Sequence, residues 1–272
     1  MKELTQFTDQ KKLFEYLREN KDEIKSRKTK DLFGNPVLKF TSATSYTPPK
    51  VATKASEPVQ ADAKEIRVKT VANATRVLDS DMDVLMPGCY TRTIAERKGM
   101  MHHLHDHIHR MEAKVGQVAD VYTEDVLVSD LLMDEGGENK TECLIFETDI
   151  KKSYNEKIFE EYKSGKVNQH SIGLQYVDIE LAINDPDSEK EKALFDTYID
   201  QIINPEKALE RGFFWVVKDV EVLENSAVLW GSNPATPTLT TSAKDAPTKV
   251  KEEKSDADTT NRQKRFRKLK AI

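Results

Sequence analysis

Five of the chain's six histidines fall within eight residues, at His102, His103, His105, His107 and His109. The sixth, His170, directly precedes Ser171 in the run Asn168-Gln169-His170-Ser171-Ile172-Gly173. Imidazole titrates closer to neutrality than any other side chain, so such a cluster suits proton transfer or metal binding. A serine hydroxyl next to an imidazole base is the minimal kit for acyl transfer. Alternate histidines on a strand can also hold zinc. The chain has no HExxH pair and no CxxC, so the metal reading ranks behind the serine one.

The elements that must position these groups can be read from apolar spacing. Residues 9–28 have helical spacing, with Asp9 as N-cap and Leu13, Phe14, Leu17 and Ile24 on a stripe. The stretch 41–63 holds three prolines and small polar residues and reads as a linker. Alternation predicts strands over Ile66–Val71, His103–His109, Val115–Val121, Val126–Met133, Cys143–Phe146 and Val167–Ile183. Turns are expected at Pro87-Gly88, Glu124-Asp125 and across 134–139. Short helices are expected over Thr91–Lys98, Tyr154–Tyr162 with Gly165 as its stop, and Ser188–Ile203. Phe213–Leu223 and Ala227–Trp230 read as the last strands. From residue 236 the chain is polar, with a basic end at 262–270.

This gives four regions: a charged helical segment over 1–40, the linker 41–63, one mainly β domain with helices (α+β) over 64–235, and a disordered tail over 236–272. On the expected strand His103, His105, His107 and His109 share one face, which would lie beside Ser171 if the two strands are neighbours. Gly173 permits close approach of backbone or substrate.

The composition excludes several classes. A net charge of −5 gives no global case for nucleic-acid binding, and the short basic end reads as a solvated or docking segment. Two cysteines, Cys89 and Cys143, do not make a disulfide framework, which points to an intracellular setting. There is no apolar run long enough for a membrane span and no apolar signal core at the start.

Four motifs occur in a fixed order: Asp81-Met82-Asp83-Val84-Leu85-Met86-Pro87-Gly88-Cys89-Tyr90; the His-Asp-His stretch followed by Val115-Gly116; His170-Ser171-Ile172-Gly173; and Leu223-Glu224-Asn225-Ser226-Ala227-Val228-Leu229 with Asn233-Pro234-Ala235. In this order the chain resembles the prohead (capsid maturation) serine proteases of tailed bacteriophages, relatives of herpesvirus assemblin. The likeness covers about residues 66–237. It implies a small assemblin-like β-barrel with helices, carrying a serine endopeptidase that needs no cofactor and no metal. Ser171 would be the nucleophile. The base maps to the histidine cluster: His107 is favoured by the Leu104-x-Asp106 that precedes it, His109 by the distance to Gly116, and His105 is a third choice. Glu224 would orient the imidazole, a role held by a second histidine in the herpesvirus relatives. The bland alternative for Glu224 is a solvated strand-edge carboxylate. Asn225 stands where the family has Val, and Cys89-Tyr90 where it has Ala-Phe. The resemblance further implies scaffold and major capsid proteins as substrates, self-cleavage and self-association, and a location in the host cytoplasm inside the procapsid. It implies neither a nucleic-acid nor a membrane partner. Other readings are a catalytically inactive capsid-assembly protein on the same fold and a histidine-rich metal-binding module.

Overall fold

Apolar alternation builds nine strands in the computed structural model, which describes residues 7–29, 39–40, 62–131, 133 and 139–244. The strands are β1 (Lys39–Phe40), β2 (Glu65–Ala74), β3 (Asp83–Leu85), β4 (His102–His105), β5 (Lys114–Leu127), β6 (Lys140–Lys151), β7 (His170–Ile183), β8 (Phe213–Ala227) and β9 (Thr238–Ala243). The helices are α1 (Gln10–Glu19), α2 (Lys21–Thr29), α3 (Thr91–Arg97), α4 (Glu156–Lys163), α5 (Glu189–Tyr198) and α6 (Glu206–Arg211).

All nine strands join one mixed sheet in the order β1-β7-β8-β4-β5-β6-β2-β9, with β3 also on β8. The barrel expected from the family resemblance is not formed. Among the described residues β1 pairs only with β7 and β9 only with β2, so the sheet stays open. The molecule is mixed α/β, with several helices packed on this large sheet.

β8 organises the sheet. Its first half, Phe213-Phe214-Trp215-Val216-Val217, is buried throughout, as expected of a central strand covered on both faces. β7 runs antiparallel to it along its whole length, with bulges at Gly173/Leu174 and around Asp178. The other edge takes β3 and then β4, both parallel.

Several expectations need correction. β4 stops at His105, because Asp106 and His107 both take positive φ, 51° and 54°. The histidine run is therefore a short strand followed by a left-handed turn. The turn expected at Glu124-Asp125 is absent: β5 passes straight through, paired with β6 at Glu124↔Cys143 and Asp125↔Glu142, and Val128–Leu131 form a 3-10 turn. β8 is one strand to Ala227, and residues 228–230 lie beyond it. The disordered tail does not begin at 236, since Thr238–Ala243 pair with β2 as β9. The linker (apart from 62–63), most of the turn across 134–139 and the basic end fall outside the described residues.

The N-terminal helices dock on the domain. Asp9 caps α1 by accepting from the Lys11 and Lys12 N–H groups, and Leu13, Phe14 and Leu17 join the main core. Arg18 pairs with Asp185 at 2.8 Å, and Lys21 with Glu191 at 2.7 Å. Lys28 of α2 pairs with the fully buried Asp83, which also accepts from the Tyr176 hydroxyl. The sequence shows the apolar stripe but gives no sign of what it packs on.

Candidate functional site

Three strands bring the chemistry-bearing residues together. In the β7–β8 register Ser171 lies opposite Ser226, and Gly173 opposite Glu224. Directly opposed residues of an antiparallel pair project to the same face, as do residues two apart on one strand. Ser171, Gly173, Glu224 and Ser226 therefore share one face of the sheet. β4 arrives on the far edge of β8, with Leu104 beside Ser226 and His105 beside Ala227.

The turn after β4 then brings His107 onto this face. The Asp106 N–H donates to the Ala227 carbonyl at 2.9 Å, and the His107 N–H donates to the Ser226 hydroxyl at 3.1 Å. Left-handed backbone at two successive non-glycine residues is costly, and such strain persists where the surroundings impose it. Here it aims an imidazole. His107 Nδ1 lies 2.6 Å from Glu224 Oε1. The second oxygen, Oε2, accepts from the Ser226 hydroxyl at 2.7 Å.

Glu224 is almost fully buried, at 2% exposure, and Ser171 at 3%. A carboxylate removed from water must have its lone pairs answered by donors. His107 and Ser226 supply them, one to each oxygen. An ionised Glu224 keeps the imidazole proton on Nδ1, so Nε2 carries the lone pair. A serine, an imidazole set in that tautomer and a carboxylate on one face have the composition needed for general-base activation of a hydroxyl.

Of the four histidines expected on one face, only His107 meets Glu224, and His103 turns to the opposite face. His105 reaches no closer than 3.7 Å to the Asp106 carboxylate. His109 lines a groove of about 540 Å³ that opens beside Glu224. Arg97, Arg110 and Lys114 add positive charge to that groove, His102 lines it as well, and Met100, Leu104, Met111 and Leu223 add apolar wall.

The other two histidines, His103 and His170, occupy the opposite, buried face. The His170 Nδ1–H donates to the Thr236 carbonyl at 2.9 Å, which leaves Nε2 to accept from the Tyr162 hydroxyl at 2.9 Å. The same hydroxyl oxygen then accepts from His103 Nε2 at 3.0 Å, and His103 Nδ1 accepts from the Thr148 hydroxyl at 2.8 Å. Every link is satisfied with both rings neutral. Burial, with His170 nearby, pushes the His103 pKa well below its ordinary value, and burial lowers that of His170 to about 4. Asn225 points to this side as well, donating to Thr70 Oγ1 at 3.1 Å. Its presence does not disturb Glu224, because the two side chains leave the strand on opposite faces.

One contributor escapes a reading of the sequence, and a second has a role other than the expected one. Ser226 is visible only as the residue two beyond Glu224, which is the spacing that places it on the same face. Gly173 makes room for the Glu224 side chain rather than for a substrate backbone, since a Cβ there would overlap Oε1 and lie 3.1 Å from Cδ. Among the described residues no group of three or more His, Cys, Asp or Glu side chains is arranged to hold a metal ion, and no helix is long and apolar enough to cross a membrane. Comparison of the chain with models of known families, with characterised proteins and with solved structures gives no match.

Proposed function

We propose that the chain is a serine endopeptidase with Ser171 as nucleophile, His107 as base and Glu224 as the carboxylate that orients it. The observation that carries this reading is the contact of His107 Nδ1 with the buried Glu224, on the same face of β8 that Ser171 shares across the strand pair. His107 Nε2 would take the hydroxyl proton as Ser171 attacks a peptide carbonyl, and would return it to the leaving amine. Water would then release the acyl group by the same route in reverse. Ser226 holds both ends of the support, the Glu224 carboxylate and the His107 backbone.

The order of motifs adds the biological setting. On an assemblin-like fold the activity would be prohead maturation: cleavage of scaffold and major capsid proteins, and of the chain itself, inside the procapsid in the host cytoplasm.

A fluorophosphonate serine label tests the chemistry. We expect it to attach to the wild-type chain at Ser171 and not to the Ser171→Ala variant. The variant should lose self-processing, with kcat down by as much as roughly 10⁶ where nucleophile and base act as a unit. A wild-type chain that resists the label, or an alanine variant that still processes, would overturn the reading in favour of an assembly protein without catalysis.

A further inference from the structure

Acyl transfer leaves a negative charge on the substrate's carbonyl oxygen, and a serine enzyme needs a donor placed to meet it. Ser171 Oγ bonds to the carbonyl carbon and gives its proton to His107, and the π pair moves onto that oxygen. When the pair returns, the C–N bond breaks and the leaving amine takes the proton. The Ser171 N–H is committed elsewhere. His170, one residue earlier, turns both backbone groups to the Thr236 hydroxyl, at 3.2 Å from its N–H and 2.8 Å from its carbonyl. Backbone groups alternate in direction along a strand, so those of Ser171 face β8 and belong to the ladder.

Gln169 stands where a donor is wanted. The alternation continues one residue back: the Gln169 carbonyl accepts from the Val228 N–H at 3.1 Å and so faces β8, as Ser171 does. The His170 ring leaves for the buried face, where Nδ1 donates to the Thr236 carbonyl at 2.9 Å. Gln169 therefore leaves the chain on the face of Ser171. On that face Ser171 has two neighbours along its own strand. Toward Gly173 the space is filled by the Glu224 carboxylate, which repels an oxyanion. Toward Gln169 there is a neutral amide. It belongs to a side chain only 4% exposed, and its Nε2 is buried without an acceptor among the described residues. A buried N–H left unanswered costs stability and calls for an explanation. The backbone is fixed on both sides of the amide, by Val228 at residue 169 and by Thr236 at residue 170. A donor held in place before the reaction is what makes such stabilisation effective.

We propose that Gln169 is a catalytic residue whose side-chain amide donates from Nε2 to the oxyanion formed at Ser171. The proposal rests on the reading of Ser171 as nucleophile and adds the group that answers the developing charge.

The test compares full-length wild type with Gln169→Met and Gln169→Leu, two variants close in volume that carry no donor. The probe is a fluorophosphonate, whose phosphoryl oxygen takes the place of the oxyanion as Ser171 attacks phosphorus and fluoride leaves. Labelling should slow by roughly 10²–10³-fold in both variants, the usual loss for one such donor. Their thermal unfolding midpoints should stay level or rise, because an unanswered buried amide has been removed. A purely structural glutamine would lower the midpoint instead. A second probe with sulfur in place of the phosphoryl oxygen, a poorer acceptor, reads the contact from the ligand's side. The preference of wild type for the oxygen probe should shrink in the variants. Labelling at the wild-type rate, an unchanged preference, or variants that unfold more readily would each overturn the assignment of Gln169. A wild type that takes no label fails at the nucleophile itself, so the two failures give different results.

Discussion

Gly173 sits opposite Glu224 across the β7–β8 pair, and the carboxylate fills the space where a side chain on residue 173 would stand. The glycine is needed for what its neighbour does. Glu224 cannot step aside, because His107 and Ser226 hold its two oxygens. Gly173→Ala should therefore displace the carboxylate and release His107 from its orientation. Misplacement of a catalytic group by about 1 Å can cost about 10²-fold in rate, and a loss of that order in kcat is expected. The thermal unfolding midpoint should move much less than the activity. Full activity in the alanine variant would mean that the Glu224 contact does not support catalysis.

Glu224→Gln replaces one oxygen with an amide that can face Nδ1 as a donor and reverse the tautomer of His107. Loss of the corresponding carboxylate in a serine triad drops kcat by about 10⁴, and a fall of that order is expected. Ser226→Ala removes one donor to the carboxylate and one acceptor for the His107 N–H, at a stability cost of about 1–3 kcal/mol for hydrogen bonds of this kind. Its kcat should lie between those of wild type and Glu224→Gln. Steady-state kinetics on any cleaved substrate check the order wild type, Ser226→Ala, Glu224→Gln.

The N-terminal helices provide an independent test of how the chain is organised. Leu17 is fully buried in the main core. A separate segment would tolerate its truncation, whereas a docked one would pass the loss to the whole domain. Leu17→Ala should cost about 2–5 kcal/mol, the usual range for a buried leucine. The loss should appear in the single unfolding transition of the β domain, followed by the near-ultraviolet signal of its tryptophans. An early, separate transition confined to the helices would show that they are an appendage.

Local signals in the sequence found the elements with strong periodicity and clear ends. Asp9 caps α1, and Gly165 takes the left-handed φ of 71° after α4, where a helix stop was expected. The strands around Ile66, Cys143 and Ser171 all form. The failures share a cause, which is tertiary pairing overriding local pattern. Glu124 and Asp125 look like a turn, yet hydrogen bonding to β6 carries the strand through them. The polar, Thr-rich stretch after residue 236 looks unstructured, yet β2 offers it an edge and it becomes β9. In the histidine run the alternating pattern continues past the point where the backbone departs from it at Asp106. Which of the three candidate histidines meets Glu224 depends on that turn, so the sequence leaves it open. The partner of the N-terminal apolar stripe was likewise not legible.

The buried chain Thr148–His103–Tyr162–His170–Thr236 sets an acid limit on stability. His170 is held down to about 4 and His103 well below its ordinary value, both chiefly by burial. In the unfolded chain both rings take a proton near pH ~6.5. Below that pH the unfolded state binds more protons than the folded one, so stability falls as pH drops. The contribution of these neutral rings is complete above pH ~6.5 and declines by up to about 1.4 kcal/mol per pH unit for each ring below it. For His170 the decline levels off near pH 4, where the folded form also takes the proton. Urea midpoints should therefore fall steeply between about pH 6.5 and about pH 4.5, with little change above neutrality. In NMR titrations of the folded chain the ring signals of His103 and His170 should stay in the neutral position down to about pH 5. Titration of either ring near pH ~6.5, the unfolded value, would show that the network does not hold its rings neutral.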